Sequence, residues 1–138
     1  MILGDLGADV IKVEPTPDGE MIRAWGPFDR GIGVYYLSVN RNKRSLALDF
    51  RNPEGLRLLR GLADHVDVIV ENFKPGTVEA MEIGYDTLHP TNPRMIYASI
   101  TGFGRDGPYG TCSGFDPTAQ GLSGLRSLTG FPEGAPTR

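Results

Sequence analysis

Residues 45–70, SLALDFRNPEGLRLLRGLADHVDVIV, decide the fold of this chain. Within residues 45–50 apolar side chains alternate with small or polar ones, and this period of two predicts a strand with one better-buried face. Asn52 and Pro53 predict a helix start, because Asn accepts hydrogen bonds from free backbone donors and Pro fits the first turn. Residues 68–70 predict a short buried strand. Between them, residues spaced by three or four predict one apolar helix face that packs on a sheet: Leu56, Leu59, Leu62, Ala63 and Val66.

Working outward, residues 10–13 and 95–100 predict two further strands, and residues 77–81 predict a helical stretch between strands. Short strands that alternate with helices are typical of an α/β fold with parallel pairing and right-handed crossovers. Residues 1–8 resemble the end of a helix capped by glycine, and residues 25–36 predict an irregular surface excursion.

Near the other end, Asp116 and Pro117 open a helix whose interior is rich in small residues, which predicts a closely packed neighbour. No closing strand is predicted after Gly134. The chain is therefore expected to be one partial domain, residues 1–138, truncated at both ends.

The composition of the 138 residues, 39% hydrophobic and 22% charged, indicates one soluble domain. A formal net charge of −3 argues against a nucleic-acid partner. The single cysteine cannot form a disulfide framework or a thiolate metal site, and only two histidines are available as metal ligands. The low cysteine content favours a reducing, cytoplasmic setting. With no long apolar run and no signal-peptide core, neither a membrane partner nor secretion is expected.

In parallel α/β sheets, ligands bind at the carboxyl ends of the strands. Here the polar or glycine-rich strand ends are Glu14-Pro15 and residues 49–51, 71–76 and 101–107. Six basic residues also gather around the second of these loops: Arg41, Lys43, Arg44, Arg51, Arg57 and Arg60. Arg57 and Arg60 suit a solvated helix face, whereas phosphate contact remains open for the cations that flank the strand, Lys43, Arg44 and Arg51.

Residues 72–74 combine an amide, an aromatic ring and a cation, which suit a nucleotide-like ligand but also ordinary turn chemistry.

Residues 102–107 match G-x-G-x-x-G, but Pro108 extends the loop where a dinucleotide site needs a helix, so a plain glycine turn is favoured. Asp116 is either a helix N-cap or an acid/base group.

Outside these loops, few residues suggest chemistry. His65 and His89 suit surface or helix-end positions. Cys112 lacks a basic neighbour and should be inert.

Five motifs occur in order: LGADVIKVEP, NRNKRSLALDFRNPEG, DVIVENFKPG, PRMIYASITGFGRDGPY and GFDPTAQGLSGL. In that order and spacing they resemble the amino-terminal part of the large domain of family III CoA-transferases. This group also contains carnitine-CoA-transferase-like proteins and α-methylacyl-CoA racemases. The resemblance covers essentially the whole chain.

The resemblance implies a Rossmann-like parallel sheet with flanking helices, in the large domain of an interlocked homodimer. In that family a carboxylate nucleophile accepts the acyl group through an aspartyl anhydride and an aspartyl-CoA thioester. It also implies two segments that contact coenzyme A, namely Leu48, Asp49, Phe50 and Arg51, and then Asn72, Phe73 and Lys74. Asp116 becomes a second acidic group near the acyl site. No metal is implied.

The chain departs from the family pattern at several points. The nucleophilic Asp is expected beyond Arg138, and the opening strand before Met1. Family arginines that help to hold CoA phosphates are replaced by Pro15, Ala80 and Cys112. Related racemases carry His where this chain has Phe115, which favours a transferase.

The leading hypothesis is a CoA-transferase fragment, inactive alone, whose full-length form moves CoA from an acyl-CoA to a free carboxylic acid. One alternative is an α-methylacyl-CoA racemase-like isomerase. Another is a noncatalytic CoA-binding module, and a third is a nicotinamide-dependent oxidoreductase that relies on residues 102–107.

Overall fold

The computed structural model describes residues 1–135. Its strands are β1 (Val10–Pro15), β2 (Phe28–Asp29), β3 (Ile32–Gly33), β4 (Lys43–Leu48), β5 (Val68–Glu71) and β6 (Ile96–Ser99). Its helices are α1 (Ile2–Asp5), α2 (Val34–Asn40), α3 (Pro53–Ala63), α4 (Thr77–Ala80), α5 (Tyr85–Leu88), α6 (Asp116–Leu122) and α7 (Leu125–Leu128). A 3-10 turn, Met21–Ala24, follows β1.

Parallel pairing is confirmed for both pairs of longer strands. β1 pairs with β4 from Val10 opposite Lys43 to Pro15 opposite Leu48. β5 pairs with β6 from Val68 opposite Ile96 onward, and β2 and β3 form a short antiparallel hairpin. The predicted α/β class is therefore confirmed, with two-stranded parallel sheets.

The chain divides into two compact units, Met1–Leu58 and Leu59–Arg138. Each contains one parallel strand pair. The assignment of residues 1–138 to one partial domain stays a prediction. The sequence also predicts no closing strand after Gly134, and of that segment residues 136–138 lie outside the described residues. Among residues 1–135, no helix is long and apolar enough to cross a membrane.

Helix α1 ends as its glycine predicts. Gly7 takes a φ of +98°, a left-handed conformation that glycine adopts without steric cost. The N–H of Ala8 donates to the carbonyl of Leu3, and the N–H of Gly7 donates to that of Gly4. These are the two hydrogen bonds of a Schellman cap.

The irregular excursion predicted for residues 25–36 is wrong, because the β2–β3 hairpin and the start of α2 occupy it. Aromatic and β-branched residues have modest helix propensity, so the sequence of α2 does not indicate a helix. Burial of Tyr36, only 8% exposed, supports the helix instead. At its end the Asn40 side chain donates to the carbonyl of Tyr36 over 3.0 Å.

Helix α3 begins at Pro53 as predicted, and the Asn52 Oδ1 accepts a hydrogen bond from the N–H of Glu54 over 2.9 Å. The predicted apolar face is confirmed, since its five members are all buried or half-buried, whereas Leu58 on another face is 49% exposed. Gly55 is required for packing, because a Cβ there would lie 2.0 Å from the carbonyl oxygen of Asp49.

The apolar face of β4 is the better-buried one, as predicted, since Leu48 and Phe50 are half-buried whereas Ser45, Ala47 and Asp49 are exposed. Leu46 is 38% exposed, whereas Glu14, on the opposite face of the β1–β4 pair, is 2% exposed. Hydrophobic alternation does not detect this arrangement, because the most deeply buried group on the sheet is a carboxylate.

In the second unit, one face of the β5–β6 pair is covered. Tyr97 donates to the carbonyl of Ile83 and packs edge-on against Tyr85. Glu71 is also buried. The other face is open, with Val68 and Val70 42% and 56% exposed, so the prediction of a fully buried strand is wrong.

The small-residue helix α6 contacts the following helix α7, but nearly all of its residues are exposed. A Cβ added at Gly121 would meet no atom within 4 Å. The predicted close packing against this helix is therefore absent from the described part of the chain.

Candidate functional site

The first candidate segment, Leu48 to Arg51, is a tight turn between β4 and α3. The Asp49 Oδ1 accepts a hydrogen bond from the N–H of Arg51 over 2.9 Å, and the Asp49 carbonyl accepts one from the N–H of Asn52. This is an Asx-turn, in which a side chain fixes the backbone two residues on. Leu48 and Phe50 are half-buried, whereas Asp49 and Arg51 are exposed.

The guanidinium of Arg51 makes no ion pair with the residues at positions 1–135, in contrast to most cations near it. Arg41 pairs with Asp5 over 2.6 Å and Arg57 with Glu54 over 2.5 Å. Arg51 is therefore the cation of this turn that is available to an anionic ligand.

Lys43 and Arg44 lie at the amino end of β4, away from Arg51 at its carboxyl end. The Nζ of Lys43 donates to the Asn40 Oδ1, and Arg44 pairs with Asp9 over 2.7 Å. Of the three cations considered for phosphate contact, only Arg51 follows the carboxyl end of the strand.

The second candidate segment, Asn72 to Lys74, follows β5. The Glu71 Oε2 accepts a hydrogen bond from the N–H of Phe73 over 2.7 Å, which folds the chain back on the strand end. The N–H of Thr77 then donates to the Lys74 carbonyl, and Gly76 between them has φ +88° and ψ −16°. Proline followed by glycine with these angles is typical of a type II turn.

All three side chains of this second segment are exposed. The polar groups of Asn72 and Lys74 make no hydrogen bond with residues 1–135, and the Phe73 ring is 38% exposed. The backbone is thus fixed by Glu71 and the turn, while the amide, ring and ammonium groups are left accessible to a ligand.

Asp116 lies at the first residue of α6, and the helix N-cap is Phe115 without any side-chain cap. The N-cap role predicted for Asp116 is therefore wrong. Its Oδ2 instead accepts a hydrogen bond from the Gln120 Nε2 over 2.6 Å, one turn along the helix. The carboxylate is exposed, so it remains accessible for chemistry.

The glycine motif at residues 102–107 begins no helix. Gly102 instead lies against Gly114, and a Cβ on Gly102 would be 2.3 Å from the Gly114 Cα. This supports the plain-turn interpretation and places the loop after β6 against the segment before α6. Arg105 in the same loop pairs with Glu79 of α4.

The histidines and the cysteine lie as the sequence suggests. His65 is exposed after α3, and His89 directly follows α5 and stacks on Tyr85 at 4.8 Å. Cys112 is free and exposed. Across residues 1–135, no three His, Cys, Asp or Glu side chains group in a way that could hold a metal ion.

A cluster of polar side chains around the buried Glu14 in the first unit was not predicted. We call it the Glu14 cluster, and it consists of Lys12, Glu14, Glu20, Arg23, Tyr36 and Ser45. Arg23 contacts both carboxylate oxygens of Glu14, from Nε over 2.7 Å and from an Nη over 2.9 Å. The Tyr36 hydroxyl, the Ser45 hydroxyl and the N–H of Glu20 also lie within 3.1 Å of the carboxylate.

These contacts shift the ionisation of the Glu14 cluster. Hydrogen bonds from Arg23, and then from Tyr36 and Ser45, lower the pKa of Glu14 to about 2 in spite of its burial. Burial raises the pKa of Tyr36, and the neighbouring Glu14 raises it further. Burial lowers the pKa of Lys12, whose ammonium lies 4.5 Å from the centre of the Tyr36 ring. The Glu14 carboxylate therefore stays ionised at neutral pH beside the Arg23 guanidinium.

The family model for CoA-transferase family III matches residues 1–138. The chain belongs to CoA-transferase family III. This confirms the resemblance inferred from the five motifs.

Relatives in the family are identical to this chain at close to half of the aligned positions. The succinyl-CoA:glutarate CoA-transferase of Homo sapiens is 47% identical, over 100% of this chain and 32% of its own length. The succinyl-CoA–D-citramalate CoA-transferase of Chloroflexus aurantiacus is 43% identical, over 99% of this chain and 34% of its own length. The chain thus spans about a third of the length of these family III relatives.

A solved structure shares the fold of this chain. The crystal structure of a CAIB/BAIF family protein from Brucella suis superposes with a TM-score of 0.92 at 45% identity. The match covers 99% of this chain and 37% of that one. The two proteins therefore have the same fold over the matched region.

Proposed function

We propose that the full-length protein transfers CoA from an acyl-CoA to a free carboxylic acid, and that this chain is the amino-terminal part of its large domain. The match of the family model to all 138 residues carries the proposal. The relatives described above are named as succinyl-CoA transferases, so a racemase is not favoured. Succinyl-CoA is accordingly the first donor to test.

The proposed chemistry is covalent catalysis by a carboxylate. An aspartate beyond Arg138 attacks the thioester carbonyl of the donor, and the CoA thiolate leaves as a mixed anhydride forms. The thiolate then attacks the aspartyl carbonyl, which releases the donor acid and leaves an aspartyl-CoA thioester. The acceptor carboxylate repeats these steps in reverse, and the aspartate is regenerated.

The residues of this chain bind and orient CoA in this proposal. Support comes from Leu48 to Arg51, where Asp49 fixes the turn and the Arg51 guanidinium is unpaired among residues 1–135. Support also comes from Asn72 to Lys74, where Glu71 fixes the backbone. Arg51 and Lys74 would pair with phosphate groups, and the Phe73 ring would stack on the adenine. Asp116 is proposed as a second acidic group near the acyl centre.

The assembly and location of the protein are part of the same proposal. We expect an interlocked homodimer in the cytoplasm, with acyl-CoA and carboxylic acid as its substrates and no nucleic-acid or membrane partner. Light scattering on the purified full-length protein tests the dimer, and a monomer would contradict it.

The test of function uses the full-length protein with succinyl-CoA and a panel of free dicarboxylates. Formation of a new CoA thioester, followed by mass spectrometry, supports a transferase. Arg51→Met and Lys74→Met should each raise KM for the CoA thioester by about three- to tenfold, as expected for loss of one charged contact. Arg57→Met is the matched control, because Arg57 already pairs with Glu54 on a helix face.

The outcomes separate the candidate functions. CoA binding without exchange of the acyl acceptor would support the noncatalytic module instead. A response to NAD or NADP that CoA does not reproduce would support an oxidoreductase. Equal KM values in all three variants would remove Arg51 and Lys74 from the CoA site.

A further inference from the structure

The Glu14 cluster takes no part in the proposed chemistry, yet it joins four separate stretches of the first unit. Glu14 belongs to β1, Arg23 to the 3-10 turn, Tyr36 to α2 and Ser45 to β4. All three partners donate to one carboxylate that is 2% exposed. A carboxylate that receives several hydrogen bonds in a buried site has a narrowly fixed position.

The cluster lies directly before the first proposed CoA segment. In the β1–β4 ladder Glu14 pairs with Ala47, and Pro15 pairs with Leu48. The last two pairs of this ladder therefore connect the Glu14 cluster to the first residue of the CoA segment. The backbone N–H of Glu20 also donates to the Glu14 carboxylate, which folds the turn after β1 back over the strand end. A cleft of about 170 Å³ remains there, bordered by Glu14, Arg23 and Ser45.

We propose that Arg23 and Tyr36 are positioning residues for CoA: acting through Glu14, they fix the end of β1 and thereby the position of Leu48 to Arg51. This inference rests on the proposed function. It assigns to the cluster a role that depends on geometry rather than on contact with the ligand.

Tyr36→Phe is the sharpest test, because it removes only the hydroxyl that joins Glu14 and Arg23. The ring would still lie beside Lys12 and Arg23, whose charged groups are 4.5 Å and 4.0 Å from its centre. Tyr35→Phe is the matched control. Tyr35 belongs to the same helix, stacks on Trp25 and has a hydroxyl without a hydrogen bond among residues 1–135.

Two further variants keep the test decisive if Tyr36→Phe does not fold. Ser45→Ala removes one donor from the edge of the cluster. Arg23→Lys keeps the charge but cannot contact both oxygens of Glu14 as the planar guanidinium does. If the geometry of the contact matters, Arg23→Lys should differ from the wild type in the measurements below, although the positive charge is kept.

The first measurement is amide hydrogen exchange of the full-length protein without ligand. We expect exchange in residues 14–20 and 47–51 to accelerate by about fivefold in Tyr36→Phe, corresponding to one lost buried hydrogen bond. Exchange in residues 68–74 and 96–99 should not change. Uniform acceleration in all four segments, or none in the first two, would overturn the inference.

The second measurement separates positioning from general destabilisation. In Tyr36→Phe and Arg23→Lys, KM for the CoA thioester should rise by about fivefold while kcat stays within about twofold of wild type. A fall in kcat with unchanged KM would overturn the inference. Failure of the wild-type protein to bind CoA would overturn the proposed function itself, which is a separate outcome.

Discussion

Gly102 and Gly114 lie in backbone contact, and a Cβ on either one would fall 2.3 to 2.4 Å from the Cα of the other. Neither position tolerates a side chain without movement of the main chain. The contact joins the loop after β6 to the segment that leads into α6, and it therefore sets where Asp116 begins its helix.

Replacing either glycine of this contact should be costly. We expect Gly102→Ala and Gly114→Ala each to lower the free energy of unfolding by about 1 to 3 kcal/mol, as overpacking of a filled site does. Gly107→Ala is the control, because its Cβ would meet one atom at 3.9 Å. Urea denaturation of the full-length variants measures the difference, and equal values for Gly102→Ala and Gly107→Ala would contradict the prediction.

Helix α3 offers an internal comparison of two glycines. Gly61→Ala should stabilise the protein by about 0.5 to 1 kcal/mol, because no atom lies within 4 Å of the added Cβ and Ala favours the helix. Gly55→Ala should destabilise it, because the Cβ would meet the carbonyl oxygen of Asp49. Thermal unfolding of the two variants should shift in opposite directions, and a shift in the same direction would count against this packing.

The charge of Glu14 should contribute to stability in a defined pH window. Its folded pKa of about 2 lies below the ordinary value of 4.5, so the contribution is complete above about pH 4.5 and is lost as the pH falls toward 2. The size of the shift corresponds to about 3 kcal/mol. Glu14→Gln should therefore be less stable than wild type at pH 7, and the gap should narrow from pH 4.5 to pH 2. A gap that is constant with pH would exclude an ionic role.

The proton of the Tyr97 hydroxyl should likewise contribute to folding stability, in a pH window on the alkaline side. Burial, and then the charge of Glu71, raise its pKa to about 12 from 10.0. The folded protein therefore keeps this proton while the unfolded chain loses it, and the stabilisation present below pH 10 is lost as the pH rises toward 12. Tyr97→Phe should lose less stability than wild type over that interval. Identical alkaline unfolding curves would refute the assignment.

The reaction class gives a further prediction. Because Phe115 occupies the position where related racemases carry His, the full-length protein should not exchange the α-proton of a 2-methylacyl-CoA with solvent deuterium. Mass spectrometry of the recovered thioester measures this exchange. Incorporation of deuterium at the α-carbon would restore the isomerase alternative.

Several elements could be predicted because their signals are local. Asn52 and Pro53 start α3 through contacts within three residues, and Gly7 ends α1 through two backbone hydrogen bonds. The choice of residues 48–51 and 72–74 as candidate segments follows from the rule that parallel strands present their carboxyl ends to ligands.

Other features could not be predicted, because they depend on residues far apart in the chain. The partners of Glu14 lie 9, 22 and 31 positions away, and no periodicity joins Arg23, Tyr36 and Ser45. Helix α2 depends on the burial of Tyr36 rather than on helix propensity. The exposure of Val70 depends on which sheet face the rest of its unit covers.

The hydrogen bonds that the Glu14 carboxylate accepts, first of all from Arg23, make it a fixed charge rather than a sensor. Its proton affinity is too weak for acidification within the physiological range to reach it. The Glu14 carboxylate beside Leu48 therefore keeps its charge while a terminal phosphate, with a second pKa near 6, changes its own. A change in CoA affinity between pH 5 and pH 8 is thus not caused by titration of Glu14.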